Sequence, residues 1–238
     1  MCGRIRIKDA QSVRTLLQWL ADGVFTWQEI VQRWQICPDT LQKVVEEDGN
    51  GPRIEEMRWG FVPSWEKAPR SKIAPINARS GEAFSKPFFK QSIQKRRCLI
   101  PCDGFYEWPK VETGRRQPAF FSLKEEKPFF MAGLFSDAVE GVRPKTFTIL
   151  TTEPNELLLK LPHERMPVIL EPEQAREWLR PGPITESDFL SFCRPYPADK
   201  MQSWPVSTLV NKPQNQGPEV CAPVAEETPP PTQATFDL

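Results

Sequence analysis

Seven short β-prone stretches, none longer than six residues, follow one another through the middle of the chain. They are Met57–Val62, Arg97–Pro101, Phe105–Trp108, Ala119–Leu123, Phe129–Leu134, Phe147–Thr152 and Met166–Leu170. Strands this short have no stability alone and must pair to bury an apolar face. Lys127-Pro128 and Arg143-Pro144 fall between them, where the fixed φ of proline suits a turn. Helical spacing is confined to the flanks. Val13, Leu16, Leu17 and Leu20 predict an amphipathic helix over 11–21, and Pro172–Leu179 and Thr185–Phe192 read as short helices, the second capped by Thr185 or Ser187. There is no internal repeat and no regular βα alternation. The expectation is an α+β fold: a single domain over 1–212 with a curled, mainly antiparallel, barrel-like β-sheet and flanking short helices. Residues 213–238 hold six prolines and little that could pack, and are expected to form a disordered, proline-rich tail.

Composition excludes several classes. The 238 residues are 39% hydrophobic, with 15 Phe and 8 Trp, enough for a sizeable core and incompatible with wholesale disorder. No run approaches the roughly eighteen apolar residues of a membrane span. The opening Met-Cys-Gly-Arg-Ile-Arg-Ile has charge but no apolar core behind it, so it does not read as an export signal. The expected location is cytoplasmic, nucleoid-associated if the host is bacterial, and the six cysteines should be thiols there. No Cys-x-x-Cys pair exists and there is a single histidine, so no metal site and no cofactor are expected. A net charge of zero argues against a grossly basic nucleic-acid binder. Residues 213–238 carry four acids and no base, which leaves +4 on the remainder. Lys90, Lys95, Arg96, Arg97, Lys110, Arg115 and Arg116 are either a solvated face or a modest phosphate-facing patch.

Position two carries the most chemistry. Aminopeptidases remove an initiator methionine when the next residue is small, and Cys2 would then begin the chain. Its α-amine, with a pKa near 8, is partly neutral at pH 7. Its thiol is a strong nucleophile as thiolate. Together they can attack one aldehyde twice, the amine giving a Schiff base and the sulfur closing a five-membered thiazolidine. An internal cysteine lacks the amine. The same group could instead act as an N-terminal nucleophile in amide hydrolysis, or cysteine at position two could be incidental.

Three further segments bear on this. In Pro75-Ile76-Asn77-Ala78-Arg79, a strand would put Asn77 and Arg79 on one face, an amide that can hold an amine beside a guanidinium that can grip a phosphate. Asp103-Gly104-Phe105-Tyr106-Glu107-Trp108 sets a carboxylate among aromatics, where apolar surroundings suit it to proton transfer near neutrality. The only imidazole, His163, sits in a proline-bounded polar segment between a helix and a strand.

These residues, taken in order, resemble the SRAP family, the SOS response-associated peptidases. The likeness rests on Met-Cys-Gly-Arg, Arg58-Trp59-Gly60-Phe61-Val62-Pro63, Ile76-Asn77-Ala78-Arg79, Arg97-Cys98-Leu99-Ile100-Pro101, Gly104-Phe105-Tyr106-Glu107-Trp108 and His163-Glu164-Arg165-Met166-Pro167, over about residues 2–180. The resemblance implies recognition of abasic sites in single-stranded DNA and a thiazolidine DNA–protein crosslink through Cys2. It implies Asn77 to position the amine, Glu107 to shuttle protons, and His163 to help open the sugar and reverse the crosslink. Arg4 and Arg79 would hold flanking phosphates, Trp65 would stack on a base, and Thr151 would line the pocket. It also implies autoproteolytic exposure of the cysteine, a hydrolase- or lyase-class activity in the DNA damage response, and a partner of abasic single-stranded DNA met by a monomer away from membranes. The chain departs from the family at Arg33-Trp34-Gln35-Ile36-Cys37-Pro38-Asp39-Thr40, where only the proline fits, and no site residue is assigned there.

Two other readings remain open at this level. One is a cysteine-type peptidase acting on protein substrates through Cys2 and His163. The other is a non-enzymatic single-strand binder built from Trp59, Trp65 and the arginines.

Overall fold

The computed structural model describes residues 2–20, 30–69, 71–109, 117–161 and 163–225. Its strands run β1 (Ile5–Ile7), β2 (Arg33–Ile36), β3 (Leu41–Glu47), β4 (Pro52–Trp59), β5 (Asn77–Arg79), β6 (Arg97–Cys102), β7 (Gly104–Glu107), β8 (Ala119–Leu123), β9 (Phe129–Ser136), β10 (Thr146–Thr152), β11 (Met166–Pro167), β12 (Ile169–Leu170) and β13 (Met201–Pro205). The helices are α1 (Ala10–Leu20), α2 (Ser80–Ala83), α3 (Pro87–Lys95), α4 (Glu156–Lys160), α5 (Pro172–Leu179) and α6 (Glu186–Phe192). Thr185 caps α6, its side chain accepting from the Asp188 amide.

The curled sheet is present. Strands β4, β3, β6, β9 and β10 pair in succession, and β10 returns to β4, which closes a ring. Every pairing round the ring is antiparallel except β10 with β4. β9 and β10 are buried along their whole length, which is why they read as continuous apolar runs with no alternation. At Gly133 of β9 a Cβ would lie 2.5 Å from the Ile100 side chain and 2.8 Å from the Thr148 carbonyl, so the ring admits only glycine there.

A second sheet, in the order β13-β8-β7-β1-β2, is antiparallel throughout. The chain crosses into it from β6 to β7 through Asp103. That buried carboxylate takes Arg6 Nε at 2.7 Å and the Asp9 amide at 3.1 Å, so it pins the far end of β1. Arg6 is itself buried, donates to Glu126 at 2.6 Å and lies 4.1 Å above the Phe120 ring. The first strand is thus held by charge-assisted bonds.

Three expectations need correcting. The segment from 213 is packed as far as 225. Val220 and Cys221 are buried, Trp204 Nε1 donates to the Cys221 carbonyl at 2.8 Å, and Gln216 Nε2 donates to the Gln35 carbonyl at 2.9 Å. The three prolines of 213–225 leave it without a strand or an α-helix, but not without apolar contacts or backbone partners. Residues 226–238 lie outside the described residues. The basic run at 90–97 is not one solvated face. Arg97 is buried and donates to the carbonyls of Ile93 (2.8 Å) and Trp178 (2.7 Å), and Arg96 pairs with Asp137 at 2.5 Å. Lys110, Arg115 and Arg116 lie outside the described residues. Finally, the stretch Met57–Val62 leaves the sheet after Trp59, because Gly60 adopts φ +140 and Pro63 lies ahead. Among the described residues no helix is long and apolar enough to cross a membrane.

Candidate active site

The two sheets meet where β1 and β7 of one approach β5, β10 and β11 of the other. The Tyr106 amide donates to the Arg4 carbonyl at 2.9 Å, which carries the β1–β7 pairing back past Ile5. Cys2 is thereby brought to the Glu107 end of β7, with 1% of its surface exposed. The Arg4 backbone amide bonds to its sulfur. Burial, and after it the Glu107 charge, push the Cys2 thiol far above its ordinary range, so the sulfur is protonated at neutral pH.

Asn77 opens β5, which runs parallel to β10 with Asn77 opposite Ile149 and Arg79 opposite Thr151. Its Nδ2 donates to the Cys2 carbonyl at 2.7 Å. Its Oδ1 is buried without a hydrogen-bond partner among the described residues. An unused acceptor beside a chain end is what an incoming N–H donor requires.

Glu107 and His163 are both buried, with Glu107 Oε2 2.9 Å from His163 Nε2. His163 Nδ1 lies 2.8 Å from the Arg165 carbonyl. A carbonyl only accepts, so Nδ1 carries a proton. The Nε2···Oε2 contact then holds one further proton, on the ring as imidazolium or on the carboxyl. A carboxylate and an imidazole so placed are able to pass a proton between them.

Arg165 was part of a recognised motif, yet nothing gave it a role. In the structure its carbonyl sets the imidazole, while its guanidinium bonds to Glu153 at 2.6 Å and to the Thr151 carbonyl. A spacing of two residues in an extended segment was the available signal. Gln35, in the divergent stretch, is buried. It donates to the carbonyls of Lys212 (2.8 Å) and Asn215 (2.6 Å) and accepts from Arg4. Lys212 and Asn215 lie 177 and 180 positions away, and no local pattern marks them.

The expected residues therefore divide. Cys2, Asn77, Glu107 and His163 come together. Thr151 is buried behind them and its hydroxyl lies 3.4 Å from the Ala78 carbonyl, on the seam between β5 and β10. Arg4 is half-buried, and its Nη1 is engaged within the protein. It bonds to Gln35 and to the Val210 carbonyl, and its guanidinium lies 5.5 Å from the Trp108 ring centre. Arg79 and Trp65 stand at the rim. Trp65 is 67% exposed and meets Phe88 edge-on at 6.4 Å. Arg79 is exposed and pairs with Glu82 at 3.3 Å, and Glu82 also holds Lys86. A cavity of about 380 Å³ is lined by Asn77, Arg79, Glu82, Lys86 and Phe88, so of the four clustered residues it reaches Asn77. Trp59, by contrast, is fully buried with Nε1 on the Ile76 carbonyl at 2.9 Å, so it is core and not a stacking surface. Among the described residues no three His, Cys, Asp or Glu side chains gather in a way that could hold a metal ion.

Residues 1–213 match the family model described as SOS response associated peptidase (SRAP). The abasic site processing protein YoqW of Bacillus subtilis (strain 168) is 37% identical over 227 residues, covering 92% of this chain and 98% of its own. The abasic site processing protein YedK of Escherichia coli (strain K12) is 32% identical over 232 residues, covering 94% of this chain and all of its own. A crystal structure of a protein from Bacteroides thetaiotaomicron superposes with a TM-score of 0.79 at 23% identity, over 94% of this chain and all of that one, and shares the fold.

Proposed function

The chain belongs to the SOS response-associated peptidase family, and on that premise we propose that it captures abasic sites in single-stranded DNA as a thiazolidine on Cys2. The relatives are named as abasic site processing proteins, which gives the substrate class. The observation that carries the chemistry is the buried cluster in which Asn77 bonds to Cys2 and Glu107 shares a proton with His163.

With Met1 removed, the α-amine of Cys2 adds to the aldehyde carbon of the ring-opened sugar. The resulting hydroxyl takes a proton, leaves as water, and a C=N bond remains. The sulfur then adds to that carbon while the thiol proton passes to the nitrogen. The product is a five-membered ring, and one water is released in all. Because the thiol is held neutral, the amine is the first nucleophile. Asn77 Oδ1 accepts an N–H of the amine and orients its lone pair. The Glu107–His163 relay donates to the departing hydroxyl and receives protons as the ring closes. A closed ring withdraws the imine from β-elimination, so the strand is protected from breakage. Arg79 holds a flanking phosphate, Trp65 stacks on a base, and the protein acts as a monomer.

The peptidase reading needs an imidazole nitrogen facing the thiol. Both ring nitrogens of His163 are engaged, by Glu107 and by the Arg165 carbonyl, which favours proton relay over a Cys–His dyad. The test is a single-stranded oligonucleotide with one abasic site, incubated with protein that begins at Cys2 and run on a denaturing gel. A shifted band that is lost in Cys2→Ala is expected. No band with the wild type, or an equal band with Cys2→Ala, refutes the proposal.

A further inference from the structure

The turn that carries Trp65 is held from outside the site by a buried cation. Arg143 lies in the hairpin between β9 and β10, where Val139 and Arg143 form an isolated antiparallel bridge. It is 4% exposed, and its hydrogen bonds go to backbone carbonyls: Pro63 at 2.8 Å, Glu66 at 3.4 Å and Asp137 at 3.3 Å. Pro63 and Glu66 are the two ends of the Trp65 turn, closed by the Glu66 amide on the Pro63 carbonyl at 3.0 Å. Next to it, Thr146 Oγ1 takes the Val62 amide at 2.9 Å. The hairpin is in turn tied to the end of α3 by Arg96 and Asp137, and α3 supplies the Phe88 ring against which Trp65 rests. A guanidinium stripped of water, with Nη1 and Nη2 on carbonyls and Nε buried without a hydrogen-bond partner, is a poor source of stability. What it does is fix the geometry of the loop it reaches across to.

We propose that Arg143 is a positioning residue that pins the Pro63–Glu66 turn and so holds Trp65 as a rigid stacking platform for a base beside the lesion. The inference rests on the capture reading above, because that reading gives Trp65 its role. An indole held in place before DNA arrives has less freedom to lose on binding, so loosening the turn weakens binding without touching the covalent step.

The experiment compares wild type, Trp65→Ala, Arg143→Gln, Arg143→Lys and the Trp65→Ala/Arg143→Gln double variant. Fluorescence anisotropy gives the affinity for an intact single-stranded oligonucleotide. Capture of the abasic oligonucleotide gives a half-saturating concentration and a maximal rate. Trp65→Ala and Arg143→Gln are each expected to weaken binding by about tenfold, the scale of one lost base stack. The double variant is expected to be no weaker than Trp65→Ala, because Arg143 acts through the indole. Arg143→Gln should keep its maximal capture rate within about twofold, a split that general destabilisation does not produce. Arg143→Lys keeps the charge and the stem but cannot bridge the turn and its own hairpin, so it should weaken binding by less. It carries the test if a thermal melt shows the Gln variant unfolded at the assay temperature. Wild-type affinity in both Arg143 variants overturns the inference. So does a double variant whose loss is the product of the single losses, or a fall in maximal rate at unchanged half-saturation. If the wild type fails to capture the abasic strand at all, the functional reading falls, while affinity for the intact strand still reports on the platform.

Discussion

The buried cluster and the rim around it are built on opposite terms. Cys2, Glu107 and His163 are almost wholly buried, and with Asn77 they are drawn from both sheets. Each is held by a backbone partner or by another member of the group. The rim of Trp65, Arg79, Glu82 and Lys86 comes from one turn, the end of β5, the short helix α2 and the cap of α3, and its ion pairs are open to water. Buried donors and acceptors in a dry pocket act strongly and need no reorganisation during reaction. Exposed ion pairs contribute little alone and are screened by salt. On the proposed function, the reacting groups and Trp65 are set before DNA arrives, and only the open ion pairs of Arg79, Glu82 and Lys86 are left to adjust to the flanking strand.

Removing the nucleophile breaks this contrast most severely. Cys2→Ala, or blocking the leading amine, should abolish the gel-shifted product while leaving affinity for intact single strands unchanged by anisotropy. Disabling the relay comes next: Glu107→Gln should slow capture by about 10²–10⁴-fold at saturating DNA, the usual worth of a positioned acid–base group. The buried thiol gives a pH test. Its raised pKa leaves it protonated through neutrality, so alkylation of Cys2 by iodoacetamide should rise about tenfold per pH unit without a plateau up to pH 10. A plateau near pH 8 would mean an ordinary, solvated thiol. At the rim the effects shrink. Glu82→Gln frees Arg79 and Lys86 and should tighten binding by about twofold at low salt, with the gain gone at high salt.

What could be read in advance follows the same division. The strands that lie round the ring, such as β6, β9 and β10, announced themselves as apolar runs, and their partners could be inferred as antiparallel. Strands β1, β2, β3 and β13 gave weaker signals, because Arg6, Gln35, Glu46 and Gln202 interrupt them, and three of these are buried polar residues satisfied by partners far along the chain. The cluster was legible because its four members sit in motifs whose residue types fit one reaction. The partners of Arg4 Nη1, Gln35 and the Val210 carbonyl, leave no mark in the sequence, because they are local to neither its own segment nor each other. Periodicity reports on neighbours in sequence, whereas a buried guanidinium is defined by neighbours in space. Arg143 was legible only as part of a turn, and its reach to Pro63, 80 positions away, comes from the hairpin's fold.

The contact between Arg4 and Val210 joins positions 206 apart, and Gln35 meets Asn215 across 180. On a ribosome, the bracket around Arg4 cannot close until almost the whole chain has emerged. Arg4 is therefore enclosed late, by segments that reach it only after the sheets between them have assembled.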